Sequence, residues 1–544
     1  MPFLATKHVA IPTKDILTWS IDDTKCDSDR PIYIDAADPS RSYNVRQARR
    51  TIRRLCAGFK AAGLQKGDVV CLHAFNDVDY PIVVNGIVAF GGIFAGINPA
   101  YTQFEIAHAI KTAKIKAFIS EPDIVQDVLQ PAKDAGIPEA LIFVFNRPNQ
   151  AVPVGLQSWT TLLQHGEEDW VRFDDVHTSK RTEAARLFSS GTTGLPKAAR
   201  ISHYNFVAQH TCAENPLQPP FPERRLVFSP LFHAGLVPRT HFAPLRTGAQ
   251  FYVMRRYEPE AFLQYVQRYQ ITCLGIPPAL VGPLLSEPAV VERGALRSVK
   301  SAGAGAAPLS GEMQARLKKY LGEGSVFVQG YGMTETTCLV TTLKWPDDDD
   351  GSGSIGVPLP DVDMKIVDEA GLDISGYDVP GEIWVRSPCV FMGYVDNPQA
   401  NSVWDSDGYF PTGDIAYCSS KNKQWYVMDR KKEMIKVRSF QVAPAELEGV
   451  LLSHPQIADA GVIGIKASND GSEFPRAYVV RKQSLEAASL KEDDVKKYVA
   501  ERLASYKRLE GGVVFVNELP RSQTGKILKQ ILKERAAREL GAKL

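Results

Sequence analysis

Short apolar runs rich in Val and Ile recur along the chain, separated by stretches whose apolar residues return every third or fourth position. Asp68–Ala74 reads as a buried strand, Tyr80–Phe90 as a helix and Ile93–Ile97 as a strand again. Thr102 predicts a helix start, because Glu105 three residues on completes a capping box in which each side chain satisfies the other's backbone N–H. Lys116–Ser120 and Ala140–Phe145 continue the strand series, Ala184–Phe188 and Ala198–Ile201 flank a polar turn, and Arg225–Phe228 reads as a further strand. Strands and helices alternating at this spacing predict an α/β protein with helix-covered, mostly parallel sheets. No internal repeat is visible. Asp347–Asp350, followed by Gly351-Ser352-Gly353, reads as a solvated loop without chemistry.

Composition adds bounds rather than identity. A chain of 544 residues, 44% hydrophobic and 23% charged, has apolar content enough for several domain-sized cores. A net charge of +1 offers no electrostatic footprint for nucleic acid. No apolar run reaches the ~18–20 residues of a membrane span, and Met1–Asp15 lacks a secretory hydrophobic segment. The eight cysteines are scattered without a C-x-x-C pair, so neither a zinc site nor a disulfide framework is expected, and a reducing compartment fits. Charge is uneven: residues 431–544 carry 21 Lys/Arg against 15 Asp/Glu, whereas residues 1–430 carry 42 against 47. A small basic unit beside a larger acidic body suits a lid over an anionic ligand, and equally suits an incidental surface bias.

The chemistry concentrates first in Ser189-Ser190-Gly191-Thr192-Thr193-Gly194-Leu195-Pro196-Lys197. Successive main-chain N–H groups and hydroxyls can wrap a polyphosphate, glycine supplies the positive φ such a wrap requires, and Lys197 adds a charge at its rim. G-x-x-x-x-G-K-[ST] cannot be fitted to it, so it is not a Walker loop. Further motifs follow in order: Ser229-Pro230-Leu231-Phe232-His233; Ser301–Leu309 with Gly305 and Ala306; Gln329-Gly330-Tyr331-Gly332-Met333-Thr334-Glu335-Thr336; Tyr409–Asp414; Asp429–Glu433; and Thr524-Gly525-Lys526.

In this order the motifs resemble those of the adenylate-forming superfamily, which comprises acyl-CoA synthetases, luciferases and adenylation domains. The resemblance runs from about Asp35 to the C-terminus. Lys436–Glu448 is most similar to 4-coumarate–CoA ligases and the luciferase-like acyl-CoA ligases, and no counter-ion for a substrate ammonium follows His233, where Ala234 and Gly235 stand. The resemblance implies a large N-terminal domain over residues 1–430, a small mobile α+β lid over 431–544 and a hinge at 430–432. It implies an acid–thiol ligase: an acid and ATP give acyl-AMP and pyrophosphate, then coenzyme A gives acyl-CoA and AMP. The acid is expected to be aryl, cinnamate-like, or medium-chain.

By the same resemblance the loop Ser189–Lys197, Gly305 and Ala306, and Gln329, Gly330 and Gly332 line the nucleotide. Tyr331 stacks on adenine, Thr334 meets the α-phosphate, Asp414 accepts from the ribose hydroxyls beside Arg430, and Glu335 binds Mg²⁺. His233 gates the acyl carboxylate, and Ala234, Gly235, Arg239, Cys338 and Leu339 line the acyl pocket. Lys526 reaches the carboxylate in the first half-reaction. Rotation near Lys432 then brings Lys436 to the site and Gln441 to the AMP, with Arg256, Arg438 and Ser439 along the coenzyme A path. Departures from the family pattern are Ser439 for Gly, Ala198 for Gly, and Gly235 and Arg239 where coumarate ligases carry an aromatic wall and a small polar group; the last two imply a wider pocket with a cation at its far end. A luciferase-like oxygenase and a silent adenylate-binding protein remain alternatives, the latter discriminated by Lys526, Glu335 and Asp414 occurring together. Ala542-Lys543-Leu544 resembles a peroxisomal S-K-L address, implying an import receptor as partner.

Overall fold

The structure is a computed structural model that describes residues 2–24, 26–189, 196–217, 220–305, 309, 311–343, 351–431, 433–437, 440–466, 473–483, 485–503, 505–522 and 525–541, without the side chains of 214–217, 279, 436, 440–441 and 485–486. A seven-stranded sheet runs in the order Gln157–Ser158, Ile142–Val144, Ile115–Ser120, Val69–His73, Ile93–Gly96, Glu183–Ser189, Lys197–Ser202. Every pairing is parallel except the last, an antiparallel hairpin. Val69–His73 is buried at all five positions, as a parallel strand covered on both faces must be. Tyr80–Ala89 is apolar and buried all round, and the Thr102–Glu105 capping box opens the helix Gln103–Ala113 as expected.

A nine-stranded sheet runs Val357–Pro358, Cys338–Thr342, Val326–Met333, Ser301–Ala304, Cys273–Gly275, Arg224–Val227, Gln250–Val253, Pro31–Asp35, Ser42–Asn44, parallel in its centre and antiparallel at both ends. The two sheets share one core, in which Leu72, Phe94 and Leu187 meet Phe251 and Val253 around Tyr80 and Phe242. Val326–Met333 begins as a parallel strand against Ser301–Ala304 and ends as an antiparallel one against Cys338–Thr342. The switch needs Gly332: a Cβ there would lie 1.6 Å from the Cys338 carbonyl oxygen. An antiparallel sheet of Asp363–Val367, Gly381–Arg386, Phe410–Cys418 and Trp425–Arg430 follows, which the parallel pattern of the first half does not foretell.

The remaining residues form a smaller α+β unit. The hairpin Ile435–Val437/Phe440–Val442 and the sheet Ile457–Lys466, Glu473–Arg481, Val513–Phe515 pack with Pro444–Leu452, Glu492–Ala500 and Lys529–Glu539. Leu447, Leu451, Val462, Val479 and Val499 give this unit a core of its own.

Candidate active site

The hairpin of the seven-stranded sheet sets Ser189 directly opposite Lys197, so the Gly/Ser/Thr string is the connection between two paired strands. Ser190, Gly191, Thr192, Thr193 and Gly194 lie outside the described residues, as does Ala306. The Lys197 ammonium sits 5.2 Å from the ring centroid of Tyr394, whose hydroxyl donates to Glu335 Oε1 at 2.6 Å. The segment Phe391–Val395 stitches these parts together: Phe391 N–H donates to Glu335 O, Met392 N–H to Arg200 O, and Val395 N–H to Ala198 O. Glu335 is the middle residue of the short helical turn Thr334–Thr336 that joins two sheet strands, and it is 2% exposed. Tyr394 was absent from the sequence expectations; Gly393 before it, at φ 104°, is the one local signal of a sharp turn.

The second part of the site joins four distant segments. Tyr331 donates its hydroxyl to Asp414 Oδ2 at 2.7 Å, and Arg430 Nε lies 3.6 Å from Asp414 Oδ1 across two paired strands. Burial pushes the Asp414 carboxyl up, while Arg430, the Tyr331 hydroxyl and Lys526 pull it back. Lys526 comes from the smaller unit, held in a turn where Gly525 N–H donates to Ser522 O and Lys526 N–H to Ser522 Oγ. Burial and the neighbouring Arg430 push its ammonium pKa down, against Glu433 and Asp414, which raise it. Glu382, which sequence reasoning missed, anchors the Asp414 turn: its two oxygens take Gly413 N–H at 3.1 Å and Lys431 Nζ at 2.8 Å. Gln329 spends its amide internally, on Leu309 O and Gln314 Oε1, both at 3.0 Å. Gly305 passes close to the next strand, since a Cβ there would stand 3.3 Å from the Gly330 carbonyl oxygen.

Around His233 a third group assembles. Gly235 N–H donates to His233 Nδ1 at 3.2 Å, and burial lowers the imidazole pKa, so the ring is neutral with its proton on Nε2. Cys338 Sγ donates to Gly235 O at 3.4 Å, and burial pushes that thiol up to about 12. Leu339 pairs with Gly332 in the antiparallel ladder, and Ala234 packs into the shared core. Arg239 does not stand as a bare cation: its guanidinium bonds Glu223 Oε1 at 3.0 Å, which Arg225 also reaches at 2.8 Å. Burial raises the Glu223 pKa, but the two guanidinium groups outweigh it and hold the carboxyl at about 2. Glu223 lies just before the predicted strand and carries no motif, so nothing in the sequence pairs it with Arg239.

Arg256 is exposed with its guanidinium 3.7 Å from the Phe75 ring centroid. Lys432, Arg438 and Ser439, and the side chains of Lys436 and Gln441, lie outside the described residues, as does Ala542–Leu544. Among the described residues no group of three or more His, Cys, Asp or Glu side chains could hold a metal, and no helix is long and apolar enough to cross a membrane.

The AMP-binding enzyme family matches residues 22–395, and the AMP-binding enzyme C-terminal domain matches residues 446–526. Phenylacetyl-CoA ligase epaB of Aspergillus niger is 45% identical over 544 residues, covering 99% of this chain and 100% of the relative. 4-Coumarate–CoA ligase 4 of Arabidopsis thaliana is 33% identical over 520 residues, covering 93% and 88%. The fold matches that of ATP-bound MatB from Rhodopseudomonas palustris with a TM-score of 0.85 at 24% identity, covering 97% of this chain and 99% of that one. The chain belongs to the AMP-binding enzyme family, and within it stands with the CoA ligases.

Proposed function

We propose that the chain joins an aryl carboxylic acid to coenzyme A through an acyl-adenylate, and that Tyr331, Asp414, Arg430 and Lys526 form the centre of its first half-reaction. The observation that carries this reading is their convergence: a tyrosine, two oppositely charged strand neighbours and a lysine from the smaller unit share one half-buried patch. Asp414 has no tight cationic partner, so its oxygens suit the two ribose hydroxyls of ATP, with Tyr331 beside the adenine. Thr334 lies one residue before Glu335, on the side of the α-phosphate. The acid's carboxylate attacks the α-phosphorus, the P–O bond to pyrophosphate breaks, and the acyl-adenylate remains. Lys526 neutralises charge at the attacking carboxylate, and Lys197 does so at the polyphosphate. The coenzyme A thiolate then attacks the acyl carbon and AMP leaves with the bonding pair.

Glu335 fits one Mg²⁺ ion: a single buried carboxylate, oriented by Tyr394, would hold it beside substrate phosphates and water, and the ion would supply charge neutralisation at those phosphates. The second half-reaction uses a lid turned about residue 432, with Lys436 and Gln441 facing the AMP and Arg256, Arg438 and Ser439 along the thiol's path. The domain limits 1–430 and 431–544 belong to this reading.

Two observations support a neutral aryl tail. Gly235 presents no side chain beside the His233 ring, and Glu223 cancels the charge of Arg239. The relatives named for phenylacetate and 4-coumarate point the same way. Acid-dependent pyrophosphate release should therefore show its highest kcat/KM for arylacetic or cinnamic acids in a panel with medium-chain and dicarboxylic acids. A preference for dicarboxylic acids would overturn the aryl reading. Ala542-Lys543-Leu544 further suggests a peroxisomal address read by the import receptor; a fluorescent fusion ending in these residues should be imported as one ending in S-K-L is.

A further inference from the structure

One buried lysine is left without a part in this chemistry. Lys529 opens the helix Lys529–Glu539, three residues beyond Lys526, and its side chain is 10% exposed. Its ammonium lies 3.1 Å from Glu448 Oε1, 3.5 Å from Glu433 Oε2 and 3.7 Å from Asp429 Oδ2. Burial disfavours the charge, but Glu448, Asp429 and Glu433 together raise its pKa, so the ammonium persists.

The three carboxylates come from different parts of the chain. Glu448 belongs to the helix Pro444–Leu452 inside the smaller unit. Asp429 lies on Trp425–Arg430, the last strand of the large antiparallel sheet, and its Oδ2 also accepts from Ala445 N–H at 3.1 Å. One carboxylate before residue 432 therefore ties down two points after it. Glu433 faces both lysines, with Oε1 3.8 Å from Lys526 Nζ and Oε2 3.5 Å from Lys529 Nζ.

We propose that Lys529 is a positioning residue for adenylate formation: through Asp429 across the domain boundary, and through the shared Glu433, it holds Lys526 beside Asp414. This rests on the two-orientation lid of the proposed function. The Glu448 contact travels with the lid in either orientation, whereas the Asp429 contacts break when it turns. Asp429→Asn thus removes the charge contact with Lys529 across the hinge, keeps an acceptor for Ala445 N–H, and leaves the lid's internal ion pair in place.

The test measures acid-dependent pyrophosphate release and, separately, thioester formation from synthetic acyl-adenylate and coenzyme A, in full-length variants with melting profiles. Asp429→Asn should slow pyrophosphate release about tenfold and leave thioester formation within about twofold of wild type. Lys529→Met should lose more of the first activity, and Lys529→Arg should recover most of it. Suppose Lys526→Ala, run alongside, impairs adenylation alone, while Asp429→Asn spares it or slows both halves equally; the positioning role then falls and the lid reading stands. Equal damage to both halves by Lys526→Ala removes the lid reading and this inference with it. Early melting of Lys529→Met would leave Asp429→Asn to decide.

Discussion

Asp414 and Glu223 are both carboxylates sunk beside arginines, yet they end in opposite states. Arg430 stands 3.6 Å from Asp414, too far for a hydrogen bond, and burial wins: the carboxyl is pushed up. Glu223 takes Arg239 at 3.0 Å and Arg225 at 2.8 Å, and the guanidinium groups win, holding it at about 2. Asp414 keeps Tyr331 as its one close hydrogen-bond partner, which under the proposed function leaves its other oxygen to the ligand. Glu223, Arg225 and Arg239 have spent their charges on one another, which under the proposed function leaves the acid to be read by shape. Under the proposed function, affinity for a polar ligand and selection of an apolar one would fall to these two groups of residues respectively.

The sharpest way to break this contrast is Lys526→Ala. If Lys526 serves only the nucleotide end, and only while adenylate forms, the variant should lose acid-dependent pyrophosphate release by about two to four orders of magnitude. It should still convert supplied acyl-adenylate and coenzyme A to thioester at near wild-type rate, with an unchanged melting profile. The pH dependence carries the same sign. Because burial and Arg430 lower the Lys526 pKa, its ammonium is lost at a pH below that of an ordinary lysine as pH rises. Pyrophosphate release should therefore fall on that alkaline limb while thioester formation from acyl-adenylate holds.

The contrast also explains what could be read from sequence. Strands such as Val69–His73 and Lys197–Ser202, and the Thr102 capping box, follow from local apolar runs and capping chemistry, and the structure has them within a residue or two. Tyr331, Asp414 and Lys526 stood out because their motifs have fixed local spacing, and the fold brings them together. Glu382, Tyr394, Glu223 and Lys529 did not, because each pairs with a residue outside its own local run and none sits in a recognisable string. Glu223 is the clearest case. Arg239 alone suggests a free cation, and only the packing of strand Arg224–Val227 near Arg239 reveals its neutralising partner. The antiparallel sheet of 363–430 escaped notice for a similar reason: its pairing is set by long-range register rather than by a repeating unit.

A smaller effect sharpens the acid end. A Cβ at Gly235 would meet only the His233 ring, at 3.3 Å from Nδ1 and 3.7 Å from Cε1. Gly235→Tyr should therefore fold, with its side chain set against the His233 ring, where the proposed function places the acyl pocket. Overfilling a packed site costs about 1–3 kcal/mol, so bulky aryl acids should lose about 10- to 100-fold in kcat/KM. Benzoate should lose much less. Equal losses for large and small acids would show that position 235 does not bound the acyl pocket, and the shape-read half of the contrast would go.

The smallest effect is the most specific, because it asks whether the Glu223 pairing survives in solution. Its folded pKa of about 2 lies below the ordinary 4.5, so the pairing stabilises the fold fully above pH 4.5 and is lost as pH falls towards 2. The arginines stay charged across that window, and the gap corresponds to about 3 kcal/mol. Glu223→Gln keeps the side chain's shape and an acceptor oxygen but removes the charge. It should lower the apparent Tm by several degrees at pH 7, and the difference from wild type should close between pH 4.5 and 2. Other carboxylates titrate alike in both proteins and cancel in the comparison. With Arg239 no longer neutralised, the variant should also accept acids carrying a second, distal carboxylate a few-fold better than wild type does. A Tm difference that stays flat through this window, with no gain on such acids, would mean that Arg239 faces the acid as a free cation, and the two ends of the cleft would then work by the same rule.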